Sequence, residues 1–292
     1  MSLTEHHGDH DDFGGLHRDL LATGRRVGRR RLLQLAGGIG ASFGALQLMG
    51  CGDSPTSPST TSTAGTTGTT GTTGTGGTGG TGTASCATRV PEETAGPYPG
   101  DGSNGPNVLP LTGAVRSDIR SSFAGLSGTA DGVPLTIALT IVSASTCAPL
   151  AGYAVYLWHC DRLGRYSLYT SGATSQNYLR GVQAADANGR VAFVSIFPAC
   201  YAGRWPHIHF EVYPTLAAAQ SVANKTATSQ IALPKVSCDE VYATTGYEQS
   251  VRNLSQVSLA TDGIFSDGAS LELATMTGGV SGGYTATLTV AV

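Results

Sequence analysis

The chain has 292 residues, of which 40% are hydrophobic and 13% charged, and a formal charge of −3. Nothing in that balance supplies the basic face that nucleic-acid binding needs, and past residue 50 no run of 18 clean apolar residues marks a spanning helix. Composition divides the chain: residues 1–50 hold the dense basic runs, 54–85 are almost only Thr, Gly, Ser and Pro, and the 207 residues from Cys86 onward have a globular make-up long enough for one well-buried core.

Arg29, Arg30 and Arg31 precede Leu32, Leu33, Gln34 and Leu35, an order that resembles a twin-arginine export signal. The stretch from Leu32 to Met49 is interrupted by Gln34, Gln47 and several glycines, too weak for a spanning helix. It ends in Leu48-Met49-Gly50-Cys51, which looks like a bacterial lipobox with Cys51 as the lipidated first residue. The alternative is the cleaved signal of a soluble protein, with Cys51 incidental. The run from Glu5 to Asp12 has metal-binding residue types but lies upstream of the expected cleavage. Residues 52–85 read as a flexible tether; its 34 residues span about 30–35 Å on average.

Five stretches then read as strands, at Leu135–Val142, Tyr153–Trp158, Arg190–Ile196, His207–Tyr213 and Thr285–Ala291. Each alternates β-branched or aromatic residues between turn formers, and Asp186-Ala187-Asn188-Gly189 is a strong turn signal. An alanine-rich helix is expected at Leu216–Lys225 and a short one at Cys238–Tyr242. Many strands, little helix and long loops imply a mainly β fold: a β-sandwich core with one or two short helices.

Of seven histidines, four lie in the N-terminal tract, leaving His159, His207 and His209. Residues i and i+2 of a strand share a face, so His207 and His209 point one way and Ile208, Phe210 and Val212 the other. Glu211 shares the histidine face, turned either to the site or to solvent. An HxH strand alone is weak: two solvated or hydrogen-bonded histidines explain it as well as a metal does.

Its surroundings add weight. Upstream lie Phe197-Pro198-Ala199-Cys200-Tyr201-Ala202-Gly203-Arg204-Trp205-Pro206, then, earlier, Trp158-His159-Cys160-Asp161 with Gly164 and Tyr166. Between them come Arg180-Gly181 and the turn 186–189, and near the domain start Glu93-Thr94-Ala95-Gly96-Pro97-Tyr98. In this order, over residues 92–240, the segments resemble the intradiol ring-cleavage dioxygenases, typified by catechol 1,2-dioxygenase and protocatechuate 3,4-dioxygenase, and look closest to exported relatives. The resemblance implies one Fe(III) per chain, held by Tyr166, Tyr201, His207 and His209. It makes Tyr201 the axial tyrosinate that leaves when substrate binds, Arg204 the arginine facing the substrate, and Gln230 a glutamine beside the site. Tyr98 would line the cavity. Two departures affect the loop: Tyr201 and His207 are only six apart, and Ala199 stands where Gly is usual.

The residue chemistry agrees. Phenolate ligation favours ferric iron, unlike the two-His-one-carboxylate Fe(II) oxygenases. The substrate implied is a catechol-type diol, with O2 as co-substrate, opened between its hydroxylated carbons to a muconate-type diacid. The departing tyrosinate would take a substrate proton, and Arg204 would stabilise developing anionic charge. Export in a folded, metal-loaded state suits the twin-arginine route. His159 is expected either to back the ligands or to be structural, not to bind the metal, and Trp158 to be a core residue rather than a substrate contact. Two other readings stay open: a non-catalytic sandwich module gripping aromatics or sugars at the cell surface, and a metal-dependent hydrolase, although no carboxylate ligand stands in the matched segments.

Five cysteines remain beyond Cys51, so at least one is unpaired. Export makes disulfides an expectation, with Cys200–Cys238 favoured, Cys86–Cys147 second and Cys160 free; spacing alone does not fix connectivity.

Overall fold

Leu135, Ile137, Leu139 and Ile141 alternate along one strand, and all four are buried while the residues between them are partly exposed. That period-2 pattern builds half of a sandwich. The structure, a computed structural model, describes residues 87–292. The signal segment, the Cys51 lipobox, the Thr/Gly-rich tether and Cys86 lie outside the described residues.

Among the described residues eight strands follow one another: β1 (Pro134–Val142), β2 (Ala154–Trp158), β3 (Arg180–Ala184), β4 (Arg190–Ile196), β5 (His207–Tyr213), β6 (Ala227–Ala232), β7 (Thr275–Gly279) and β8 (Gly283–Ala291). They form two four-stranded sheets, ordered β4-β1-β8-β7 and β3-β2-β5-β6. Neighbours are antiparallel except β1 and β8, which run parallel. The mainly β sandwich is thus as the alternation implied, and the five expected strands stand within a residue or two of their places.

Between the sheets, Leu135, Ile137 and Phe193 meet Leu157, Ile208, Phe210 and Val212 in one apolar cluster. The other face of the second sheet is buried as well. There Tyr156, Trp158 and Tyr213 pack under loops carrying Tyr166 and Tyr201, so every residue of β5 is buried. A sheet covered on both sides offers a dry, rigid floor, and it is this loop-covered face that carries His207 and His209.

Two helices, α1 (Lys235–Tyr242) and α2 (Glu248–Leu254), follow β6. The first begins three residues ahead of the expected Cys238, directly after Pro234 in extended conformation. The expected helix at Leu216–Lys225 does not form. Two 3-10 turns, Ala218–Gln220 and Val222–Asn224, stand there, separated by extended Ser221. So short a segment needs a packed face to be helical; α1 buries four residues, whereas in these two turns only Ala219 is buried, and the Asn224 side chain donates back to the Ala218 carbonyl at 3.1 Å. The turn before β4 is as read: Asp186 Oδ1 accepts the amides of Asn188 and Arg190, both at 2.8 Å, and Gly189 takes φ 74°.

Candidate metal and substrate site

The strand pairing sets the floor. His209 lies opposite Trp158 of β2 and Gln230 of β6, which brings Gln230 beside the histidines although 21 residues separate it from His209 in the chain.

Two loops supply the phenols. In the β2–β3 loop, Asp161 Oδ1 accepts the amides of Leu163 and Arg165 at 2.9 and 3.0 Å, and its Oδ2 accepts the Tyr178 hydroxyl at 3.0 Å. That turn delivers Tyr166. Arg180, 1% exposed, fastens this loop to the N-terminal segment: it donates to the Ser167 and Tyr98 carbonyls at 2.9 Å and to the Pro99 carbonyl at 2.7 Å. The Tyr98 ring consequently sits 5.0 Å from that of Tyr166, centroid to centroid. Tyr201 stands on the β4–β5 loop, which the helices clasp. Asn253 donates to the Cys200 carbonyl at 2.7 Å, Ser250 accepts the Cys200 amide at 3.0 Å, and Tyr242 donates to the Pro198 carbonyl at 3.0 Å.

These clasps are non-covalent. The expected Cys200–Cys238 disulfide is absent: both are free, buried thiols. Cys200 Sγ instead faces the Arg204 carbonyl at 3.4 Å and Cys238 Sγ the Leu233 carbonyl at 3.9 Å. Burial pushes the Cys200 thiol up to about 12, the inert end of cysteine behaviour. Cys160 is free, as expected. Cys147 is disulfide-bonded, to none of these three.

The four residues Tyr166, Tyr201, His207 and His209 come together. The Tyr201 hydroxyl lies 3.1 Å and the Tyr166 hydroxyl 3.4 Å from His207 Nε2. The two imidazoles meet Nε2 to Nε2 at 3.1 Å. His207 Nδ1 is 2.6 Å from the Trp205 carbonyl; a carbonyl only accepts, so Nδ1 carries the proton and Nε2 presents a lone pair. Burial, with Arg204 nearby, holds both histidines well below their usual range; they are neutral at pH 7, the form that binds metals. Three polar groups thus crowd one lone pair that a single donor would satisfy, and a cation among them would serve all four. The donor set of two phenols and two neutral imidazoles therefore fits ferric iron.

Beside this quartet runs a second polar chain. Arg204, 1% exposed, donates from Nη2 to Gln230 Oε1 at 2.7 Å, and Gln230 Nε2 donates to the Thr94 carbonyl at 2.9 Å. Arg204 Nε pairs with Asp262 Oδ2 at 3.0 Å. Asp262 escaped the sequence reading: it lies 58 residues from Arg204 in an unremarkable Thr-Asp-Gly turn. Glu93 is pushed up to about 8 by burial and by Asp267, with Arg204 pulling the other way.

His159 stays outside the quartet. Its Nδ1 bonds the Cys160 carbonyl at 2.8 Å and its Nε2 the Ser195 hydroxyl at 2.7 Å. Glu211 is neither solvated nor at the quartet: it is buried and accepts from Tyr213 at 2.6 Å and Lys225 at 3.0 Å.

Residues 104–208 match a family model described as dioxygenase, a stretch holding Tyr166, Tyr201, Arg204 and His207 and ending one residue short of His209. No curated protein matches the chain. Among solved structures, an intradiol ring-cleavage dioxygenase from Tetranychus urticae is 24% identical, with TM-score 0.53, over 70% of this chain and 94% of its own. A second dioxygenase crystal structure has the same identity and coverage and a TM-score of 0.55. A 3-chlorocatechol 1,2-dioxygenase from Rhodococcus opacus 1CP is 16% identical over 70% of this chain and 72% of its own, with TM-score 0.44.

Proposed function

We propose that this chain is an intradiol ring-cleavage dioxygenase that holds one Fe(III) on Tyr166, Tyr201, His207 and His209 and opens catechol-type diols with O2 to muconate-type diacids, a reading supported by the dioxygenase family model over residues 104–208. The observation that carries the reading is the meeting of two phenols from separate loops with two neutral imidazoles of one strand, within 3.4 Å of a common nitrogen. Ferric iron bound there would draw electron density from a catecholate and open its ring to dioxygen.

The chain's own residues do the rest. Tyr201, a phenolate when it serves as a ligand, is the base: its phenolate oxygen takes the proton of an incoming catechol hydroxyl. Arg204 puts a permanent positive charge beside the histidines and stabilises anionic charge developing on the substrate. Gln230 fixes that guanidinium from the β6 side. Tyr98 and Tyr166 form an aromatic wall, and the doubly buried sheet keeps water away.

Export and anchoring belong to the same proposal. The order Arg29-Arg30-Arg31, apolar stretch, Leu48-Met49-Gly50-Cys51 supports a lipid at Cys51, with the 52–85 tether holding the enzyme off the membrane. Among the described residues no helix is long and apolar enough to cross a membrane.

The test is product analysis with 18O2 over a panel of plain, hydroxylated, chlorinated, carboxylated and bulky lignin-type catechols. The reading expects a diacid carrying both labelled atoms, cut between the hydroxylated carbons. Opening beside the diol, giving a semialdehyde, or no oxygen uptake on any member, overturns it.

A further inference from the structure

Asp262 is 0% exposed and lies in the turn after α2, remote in sequence from every residue of the quartet. Its carboxylate is filled on both sides. Oδ1 accepts the backbone amides of Ile264 at 2.8 Å and Phe265 at 3.1 Å. Oδ2 accepts Arg204 Nε at 3.0 Å and the Trp205 amide at 2.6 Å. An ionised carboxylate has about four lone-pair sites, and all four are used here. Its own turn therefore clamps the group, which cannot rotate without abandoning two donors.

The two donors on Oδ2 lead to the site by different routes. Arg204 reaches Gln230 through Nη2 at 2.7 Å. Trp205 turns its carbonyl to His207 Nδ1 at 2.6 Å, and its indole donates to the Leu233 carbonyl at 2.9 Å. One carboxylate thus fixes the arginine beside the site and the peptide that orients a histidine of the quartet.

We propose that Asp262 is the positioning residue of this active site, aiming the Arg204 guanidinium and, through Trp205, setting the ring plane of His207. It touches neither substrate nor metal in this scheme and acts through those two neighbours. The inference rests on the iron-dependent reading given above. Charge explains why the residue is an aspartate. A guanidinium buried to 1% exposure is held only against a counter-charge, and a neutral amide would supply none while turning an N–H toward one pair of donors.

The experiment is a double-mutant cycle on the iron-loaded full chain, comparing wild type, Asp262→Asn, Arg204→Gln and the double variant. Iron content, melting temperature, anaerobic dissociation constant for catechol, kcat and KM are measured for each. Asp262→Asn is expected to lower kcat or weaken catechol binding roughly 10- to 100-fold, as loss of an outer partner at a metal site does. On the Arg204→Gln background the same change is expected to add almost nothing: the amide oxygen of the asparagine still accepts the Trp205 N–H, so what the change disturbs is the arginine route. Asp262→Ala, which also removes the acceptor for the Trp205 amide, is expected to loosen iron retention as well.

A wild-type-like Asp262→Asn, or a loss that multiplies in full onto Arg204→Gln, overturns the inference. If Asp262→Asn alone fails to fold, the double variant carries no unpaired buried charge and decides the matter against Arg204→Gln. A wild type that binds catechol without cleaving it refutes the reaction and leaves the cycle readable in the dissociation constants.

Discussion

The imidazole of His209 lies flat on the indole of Trp158, with centroids 4.9 Å apart and ring planes 5° from parallel. The two are direct partners across the β2–β5 ladder, so backbone register creates the stack. His209 Nδ1 has no hydrogen-bond partner among the described residues; the indole face is what sets its ring plane. Trp158 thus does more than fill the core. Trp158→Phe, which keeps an aromatic face, should retain iron. Trp158→Leu should lower iron affinity about 10- to 100-fold, read by competition with a chelator. Equal retention in both variants would show that stacking does not orient the ligand.

Tyr201 and Tyr166 should separate under the same change. Tyr201→Phe removes the proposed base, and loss of general-base catalysis costs about 10²–10⁴-fold in rate. Tyr166, carried on the Arg180-fastened loop and packed against the Tyr98 ring, has no such role, and Tyr166→Phe should act mainly by weakening metal binding. Single-turnover cleavage of a bound catechol, with iron content measured in parallel, checks both. Near-normal turnover by Tyr201→Phe would refute its part as base.

Stability should fall on the acid side for a reason outside the site. His159 is buried, and desolvation lowers its pKa from 6.5 to about 4. Between those values the unfolded chain binds the extra proton and the folded one does not, so stability rises with pH through that window and is lost as pH falls from about 6.5 to 4. One such group contributes up to roughly 3 kcal/mol. Denaturant melts of wild type and His159→Gln from pH 4 to 7 check it. The variant should be less stable at pH 7 but flatter across the range; identical slopes would exclude His159 as the cause.

Anchoring is read at one atom. With two acyl chains on Cys51, each buried methylene contributing about 0.8 kcal/mol, the protein should fractionate with membranes, and Cys51→Ser should release it. A serine variant that stays membrane-bound would mean that the lipobox reading is wrong or that the signal segment itself is the anchor.

What the sequence makes legible follows from which interactions are local. Strands such as β1 and β5, with branched and aromatic residues in alternation, declare themselves. β3 and β6 do not: Arg180-Gly181-Val182-Gln183-Ala184 and Ala227-Thr228-Ser229-Gln230-Ile231-Ala232 put polar residues into buried positions, where Gln230 and Arg180 find partners only in the folded chain. β7, an edge strand ending in two glycines, resembles a loop. The alanine run at 216–225 shows helical propensity left without a buried face to pack, only Ala219 being covered in its two turns. Strand period puts His207 and His209 on one face, but only the family resemblance adds Tyr166 and Tyr201 to them, since their loops carry no local signal of their own. Asp262 was not legible, since only tertiary folding brings it to Arg204. The Cys200–Cys238 expectation failed because side-chain direction is set by the folded chain, which turns the two sulfurs to different carbonyls, those of Arg204 and Leu233.

The most direct test of the account is the metal content and visible spectrum of the purified protein. One iron per chain, with a tyrosinate-to-iron band that colours the protein red to burgundy and is altered by Tyr166→Phe or Tyr201→Phe, is the predicted result. A colourless protein carrying zinc at full occupancy and no iron would contradict it.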